Sequence, residues 1–105
     1  MRSNFESPLK IVDGSVRARG SLNWEGGETE SLVSVSISQR RNKVAGMATS
    51  PDKFRKPEQD WKIDIDPGYA SRFKPGPARA VGIICGMGDE VSVFFWSQDI
   101  TLEDA

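Results

Sequence analysis

The chain has 105 residues, enough for one domain with its own core and too few for two. Hydrophobic residues make up 37% and charged residues 28%, with a formal net charge of −1, which argues against a disordered chain and against global attraction to nucleic acid or membrane. There is no histidine and only one cysteine, Cys85. That excludes an intrachain disulfide, removes the usual general base and disfavours a cysteine-based metal site.

The start, Met1–Pro8, is polar and is expected to fray, so the sequence reads as a flexible segment 1–8 followed by one β domain, 9–105. It has no apolar core of the kind a signal peptide needs, and no apolar run approaches the roughly 20 residues of a membrane helix. The expected location is the cytoplasm or an assembled particle. Secretion would need an export signal beyond this sequence.

Leu9 and Ile11 alternate with polar residues before the turn dipeptide Asp13-Gly14. Val16, Ala18, Gly20, Leu22 and Trp24 then share one face, and Arg17, Arg19, Ser21 and Asn23 the other. Leu9–Asp13 and Ser15–Trp24 read as a first hairpin. Glu25-Gly26-Gly27-Glu28 is a second turn. Val33, Val35 and Ile37 alternate with Ser34, Ser36 and Ser38, the cleanest two-residue period in the chain. Arg40-Arg41-Asn42-Lys43 is a charged hairpin tip and Val44–Thr49 its return strand. The small residues Ala45, Gly46 and Ala48 predict close approach by a neighbouring layer.

Ser50–Gln59 has no period and reads as a loop, in which Pro51 suits the first position of a single helical turn. Trp61, Ile63 and Ile65 alternate with Lys62, Asp64 and Asp66 in a half-buried strand ended by Pro67-Gly68. Tyr69–Pro77 is a second irregular connection, anchored in the core by Phe73. The last stretch is the most apolar. Ala78–Cys85 and Val91–Trp96 flank the polar tip Gly86-Met87-Gly88-Asp89, the pattern of a β-hairpin placed centrally in a sheet. No window has helical spacing. The whole reads as an all-β sandwich or small barrel of about seven short strands.

From Leu32 to Leu102 three features follow one another. They are an alternating valine strand with basic tip and small-residue return (LVSVSISQRRNKVAGMA), a tryptophan-led strand (DWKIDID) and a closing pair (RFKPGPARAVGIICG and FFWSQDITL). In this order they resemble small immunoglobulin-like β-sandwich domains of actinobacterial secreted proteins. The resemblance implies a single immunoglobulin-like antiparallel β-sandwich, with a small β-barrel as the alternative. Many such relatives have an export signal and paired cysteines, which this chain lacks, and no catalytic residue carries over.

Four sets of residues are candidates for function. Arg40, Arg41, Lys43, Lys53, Arg55 and Lys56, with Phe54 and Trp61 near them in sequence, combine positive charge with aromatic faces, as nucleic-acid grooves do. The plainer reading is a solvated tip and loop. Asp60, Asp64, Asp66, Asp89 and Glu90 are oxygen ligands of the type calcium takes, but no twelve-residue calcium loop is present. They read as a wet face, with no metal or cofactor expected. Cys85 has no histidine to activate it and reads as a small buried hydrophobe.

The fourth set is the closing strand. Val91, Val93 and Phe95 share one parity, and Ser92, Phe94 and Trp96 the other. Both faces are apolar, so neither is an ordinary solvent face. The expectation is that Phe95 enters the core with Val91 and Val93. Phe94 and Trp96 are then either covered within the domain or form an interface with a protein partner or a second copy. The function read from these features is a non-enzymatic protein-binding or structural module using loops or an apolar sheet face. The alternative is a nucleic-acid-binding small β-barrel using the basic tip and loop.

Overall fold

The computed structural model describes residues 2–23, 28–39, 44–50, 53–55, 58–68, 72–89 and 91–105. The two-residue alternation of the sequence becomes eight strands: β1 (Arg2–Phe5), β2 (Leu9–Val12), β3 (Ser15–Asn23), β4 (Glu28–Gln39), β5 (Val44–Thr49), β6 (Glu58–Ile65), β7 (Gly76–Gly88) and β8 (Ser92–Asp104). The protein is all-β, with no helix among the described residues. β4, at 12 residues, and above all β7 and β8, at 13 residues each, are longer than the short elements expected. The β7–β8 pairing continues without a break from Gly76↔Leu102 to Gly86↔Ser92, which makes this hairpin the spine of the fold.

β3 pairs on both of its edges. β6 lies along one edge, from Val16↔Ile65 to Asn23↔Glu58. On the other edge β1 and β2 lie end to end, β1 from Arg2↔Asn23 to Phe5↔Gly20 and β2 from Lys10↔Arg17 to Val12↔Ser15. The turn between β2 and β3 is two residues, Asp13 at φ 52° and Gly14 at φ 83°, the left-handed pair that a tight hairpin of right-twisted strands requires. β2 then joins the second half of the molecule by pairing parallel with the end of β8, Leu9↔Leu102. β8-β7-β4-β5 follow in antiparallel order. One continuous sheet therefore folds over on itself, with β6-β3-β1 facing β8-β7-β4-β5.

The dry side of each strand fills the space between. Val16, Ala18 and Leu22 of β3, Val33, Val35 and Ile37 of β4 and Ile63 and Ile65 of β6 are all buried, as the alternation predicts. Phe73 is buried as well, and its N–H donates to the carbonyl of Gly14 at 3.0 Å, so the 72–75 connection closes over the β2–β3 turn. Gly46 shows why β5 needs small residues. A side chain there would collide with the carbonyl of Asp66 and with Cγ2 of Ile65.

The start of the chain differs from expectation. Instead of fraying, Arg2–Phe5 forms β1, and Phe5 is only 2% exposed. Its ring sits edge-on to Trp61 at 5.6 Å between centroids and tilted against Trp96 at 5.1 Å. One aromatic in a polar stretch suffices because two indoles from opposite layers close around it. Trp61 Nε1–H adds a bond to Ser3 Oγ at 3.0 Å.

Candidate functional site

The unbroken β7–β8 register settles which way the closing strand faces. Trp96 stands opposite Gly82, Phe95 opposite Ile83 and Phe94 opposite Ile84. Gly82 has no side chain, so the Trp96 indole lies over its backbone on the inner side. Phe94 stacks on Trp96 at 5.8 Å, and both pack against the core. Residues of the other parity point out. Val91 is 76%, Val93 65% and Phe95 63% exposed, which reverses the expectation that these three enter the core. The inner side offers Trp96 the slot above Gly82, whereas the outer position opposite Phe95 already carries the Ile83 side chain. The apolar surface of this strand is thus the Val93–Phe95 side, and Phe94 and Trp96 are half-buried on the inner one.

That surface extends across the layer. Val93 neighbours Cys85, which in turn neighbours Leu32 of β4. Phe95 neighbours Ile83. Val81 neighbours Ser36, which pairs with Met47 of β5. Met47 is 76% exposed. Because Ser34 and Ser36 are short, Met47, Val81 and Ile83 border a shallow hollow of about 40 Å³. The band ends in charge where Arg79 meets Asp99 at 2.7 Å. Cys85 belongs to this band, half-buried on the outer face, and not to the interior as a small core residue would. The sequence reading missed Ile83 and Met47. Their signal was parity: each falls on the polar side of a strand whose opposite side supplies the core.

The other candidate sets stay apart from this face. Lys53 and Arg55 converge on one acid, Glu30, at 3.2 and 4.0 Å. Phe54 between them forms a two-way backbone bridge with Ser31 at 2.7 and 2.8 Å, so this loop adds a short step to the edge of β4. Arg40, Arg41, Lys43 and Lys56 lie outside the described residues, as do Trp24, Tyr69 and Glu90. Among the acids, Asp64 accepts from Arg17 at 3.2 Å and Asp66 from the Ser15 hydroxyl, beside an open hollow of about 260 Å³. The positive group at that hollow is the chain's own arginine.

No family model, curated protein or solved structure matches this chain. Its chemistry therefore has to be read from the residues alone. Among the described residues, no three His, Cys, Asp or Glu side chains converge. The outer face of β8-β7-β4-β5 presents apolar area, serine hydroxyls and backbone edges, the materials of a protein contact.

Proposed function

We propose that this chain is a non-enzymatic protein-binding module that works through the outer face of the β8-β7-β4-β5 layer. The observation that carries the reading is the run of exposed apolar side chains at Val91, Val93, Phe95, Ile83 and Met47 on that layer. Scattered single hydrophobics are ordinary on protein surfaces, but a contiguous patch marks a contact. The absence of histidine from the sequence supports a binding role over acid–base chemistry. An immunoglobulin-like reading of the sandwich is supported by connectivity. The segment before β3 bridges the layers, β1 pairing with β3 and β2 with both β3 and β8, and the chain later crosses from β5 to β6 and back to β7.

The test compares the wild-type chain with the double variant Val93→Lys, Phe95→Lys. Both positions point outward, so the variant should keep its far-UV dichroism and melting profile. It should lose the association, with other proteins or its own copies, that the wild type shows in a binding measurement. A folded double variant that keeps every association would rule out this face.

A further inference from the structure

We infer that β8 is the seam of a homodimer: the 92–98 edges of two copies pair antiparallel about a twofold axis and join their outer layers into one sheet. This rests on the protein-binding reading above and names a second copy as the occupant of that region.

The direction of the backbone comes first. Thr101 N–H donates to Ser7 Oγ at 3.2 Å, and Ala105 N–H to the carbonyl of Ile11 at 3.2 Å. Both bonds leave β8 on the side away from β7. The β7–β8 register has no shift, so every second residue keeps that direction. Val93, Phe95 and Ser97 therefore aim their N–H and C=O groups at the same edge. Among the described residues no strand pairs there. β2 meets β8 only at Leu102–Asp104. From β1, Phe5 is held by the Gln98 side chain, whose Nε2 donates to the Phe5 carbonyl and whose Oε1 accepts from the Phe5 N–H, both at 3.2 Å.

Free edges are commonly guarded by charge or proline. β6 carries Glu58, Asp60, Lys62 and Asp64 on its outer side. The 91–98 stretch, VSVFFWSQ, has no charge, proline or glycine. An edge of this composition is a template for another strand.

The sequence also fits itself. Residues opposite one another across an antiparallel pair point to the same face. An axis through Phe94 sets Val93 against Phe95, and an axis through Phe95 sets Phe95 against Phe95. Either keeps apolar outward residues together, whereas a one-residue slip would mix the two faces. No like charges meet between Val93 and Ser97 in either register. Pairing of the two edges sets Val93 and Phe95 of one copy beside those of the other, so the exposed apolar run of each copy continues across the seam as one patch.

The experiment is sedimentation velocity on the full chain across a concentration series, with two variants. The wild type should approach twice the 11.6 kDa monomer mass. Val93→Pro removes an N–H that points at the seam and takes no bond from β7, so it should stay folded and sediment as a monomer. Phe95→Lys should do the same. A wild type that remains monomeric throughout overturns the inference. If it still binds another protein and Phe95→Lys loses that protein, the protein-binding reading survives on its own. A dimer kept by Val93→Pro but lost in Phe95→Lys means that the copies stack by their faces, which also overturns the seam, as does a dimer kept by both. Should Val93→Pro unfold, wild-type amide exchange decides. Protection at Phe95 and Ser97 that rises with protein concentration supports the seam, and its absence removes it.

Discussion

Trp96 covers the bare backbone of Gly82, its partner across the β7–β8 ladder. A Cβ placed on Gly82 would overlap the six-membered ring of the indole. The opposite layer repeats the arrangement, because Trp61 covers Gly20, its partner across β3–β6. Phe5 fills the space between the two indoles. An indole over a glycine removes backbone from water and fixes the register of both strands.

Gly82→Ala is therefore expected to cost about 1–3 kcal/mol through overpacking, and Gly82→Val more. Urea unfolding followed by tryptophan fluorescence would read both the loss and a changed emission from Trp96. A midpoint unmoved by alanine would mean that the indole does not occupy this slot.

Two neighbours in sequence should behave oppositely. Trp96→Ala removes a side chain packed between Phe5 and Phe94 and should cost about 3–5 kcal/mol. Phe95→Ala, measured at a concentration where the chain is monomeric, should stay within about 0.5 kcal/mol of wild type. Equal losses at the two positions would show that the inward and outward assignments are reversed.

β1 is expected to contribute to the stability of the whole domain. Gln98→Leu leaves the N–H and C=O of Phe5 without the amide that bonds both, at a cost of about 1–3 kcal/mol. Phe5→Ala should cost about 3–5 kcal/mol. Thermal melts of the two variants check this. Wild-type melting in both would mean that residues 2–5 are dispensable.

A second glutamine does the same work at the far end of β4. Gln39 is 7% exposed, its Nε2 donates to the carbonyls of Lys74 and Pro77 at 2.8 and 3.3 Å, and its Oε1 accepts from Lys74 N–H at 3.0 Å. Gln39→Leu should free the 72–75 connection, speed trypsin cleavage after Arg72, and cost about 1–3 kcal/mol. Cleavage at the wild-type rate would show that Phe73 alone holds the segment.

The surface ion pairs should matter little. Arg79 and Asp99 meet at 2.7 Å, but their side chains are 54% and 85% exposed. Arg79→Ala should change stability by less than about 1 kcal/mol, less still in high salt. A larger, salt-resistant loss would point to packing of the arginine stem over Val81 as the real contribution.

Much of the fold was legible because alternation and turn chemistry are local. Val33–Val35–Ile37 against serines, Trp61–Ile63–Ile65 against charges, and Asp13-Gly14 each state their structure within a few residues. What could not be read was pairing across the chain. Arg2–Phe5 looks like a polar tail until Trp61 and Trp96 are known to meet at Phe5. Within 91–96 the two faces of β8 look alike, but Ile100 and Leu102 are buried on the parity of Phe94 and Trp96 in a strand without a register shift, and the glycine opposite Trp96 leaves room on that side. Carrying that parity back from Leu102 to Phe94 needs a strand of 13 residues without a bulge, and it was this continuity that the local pattern did not state.

The parallel contact between β2 and β8 has a consequence for how the molecule is made. Leu9 pairs with Leu102 and Ile11 with Asp104, so β2 and the end of β8 fasten the two layers together. A nascent chain lacking residues 100–104 can form the β2–β3 and β4–β5 hairpins but cannot bring the two layers into register along β2. Closure must wait for the end of β8 to emerge from the ribosome, and loops of that span close slowly, in the millisecond-to-second range of high-contact-order folds. Until then the apolar sides of β3, β4 and β6 wait in solvent without the β7–β8 hairpin that closes the core. Synthesis is thus the stage at which neighbouring copies on one message have the most opportunity to meet.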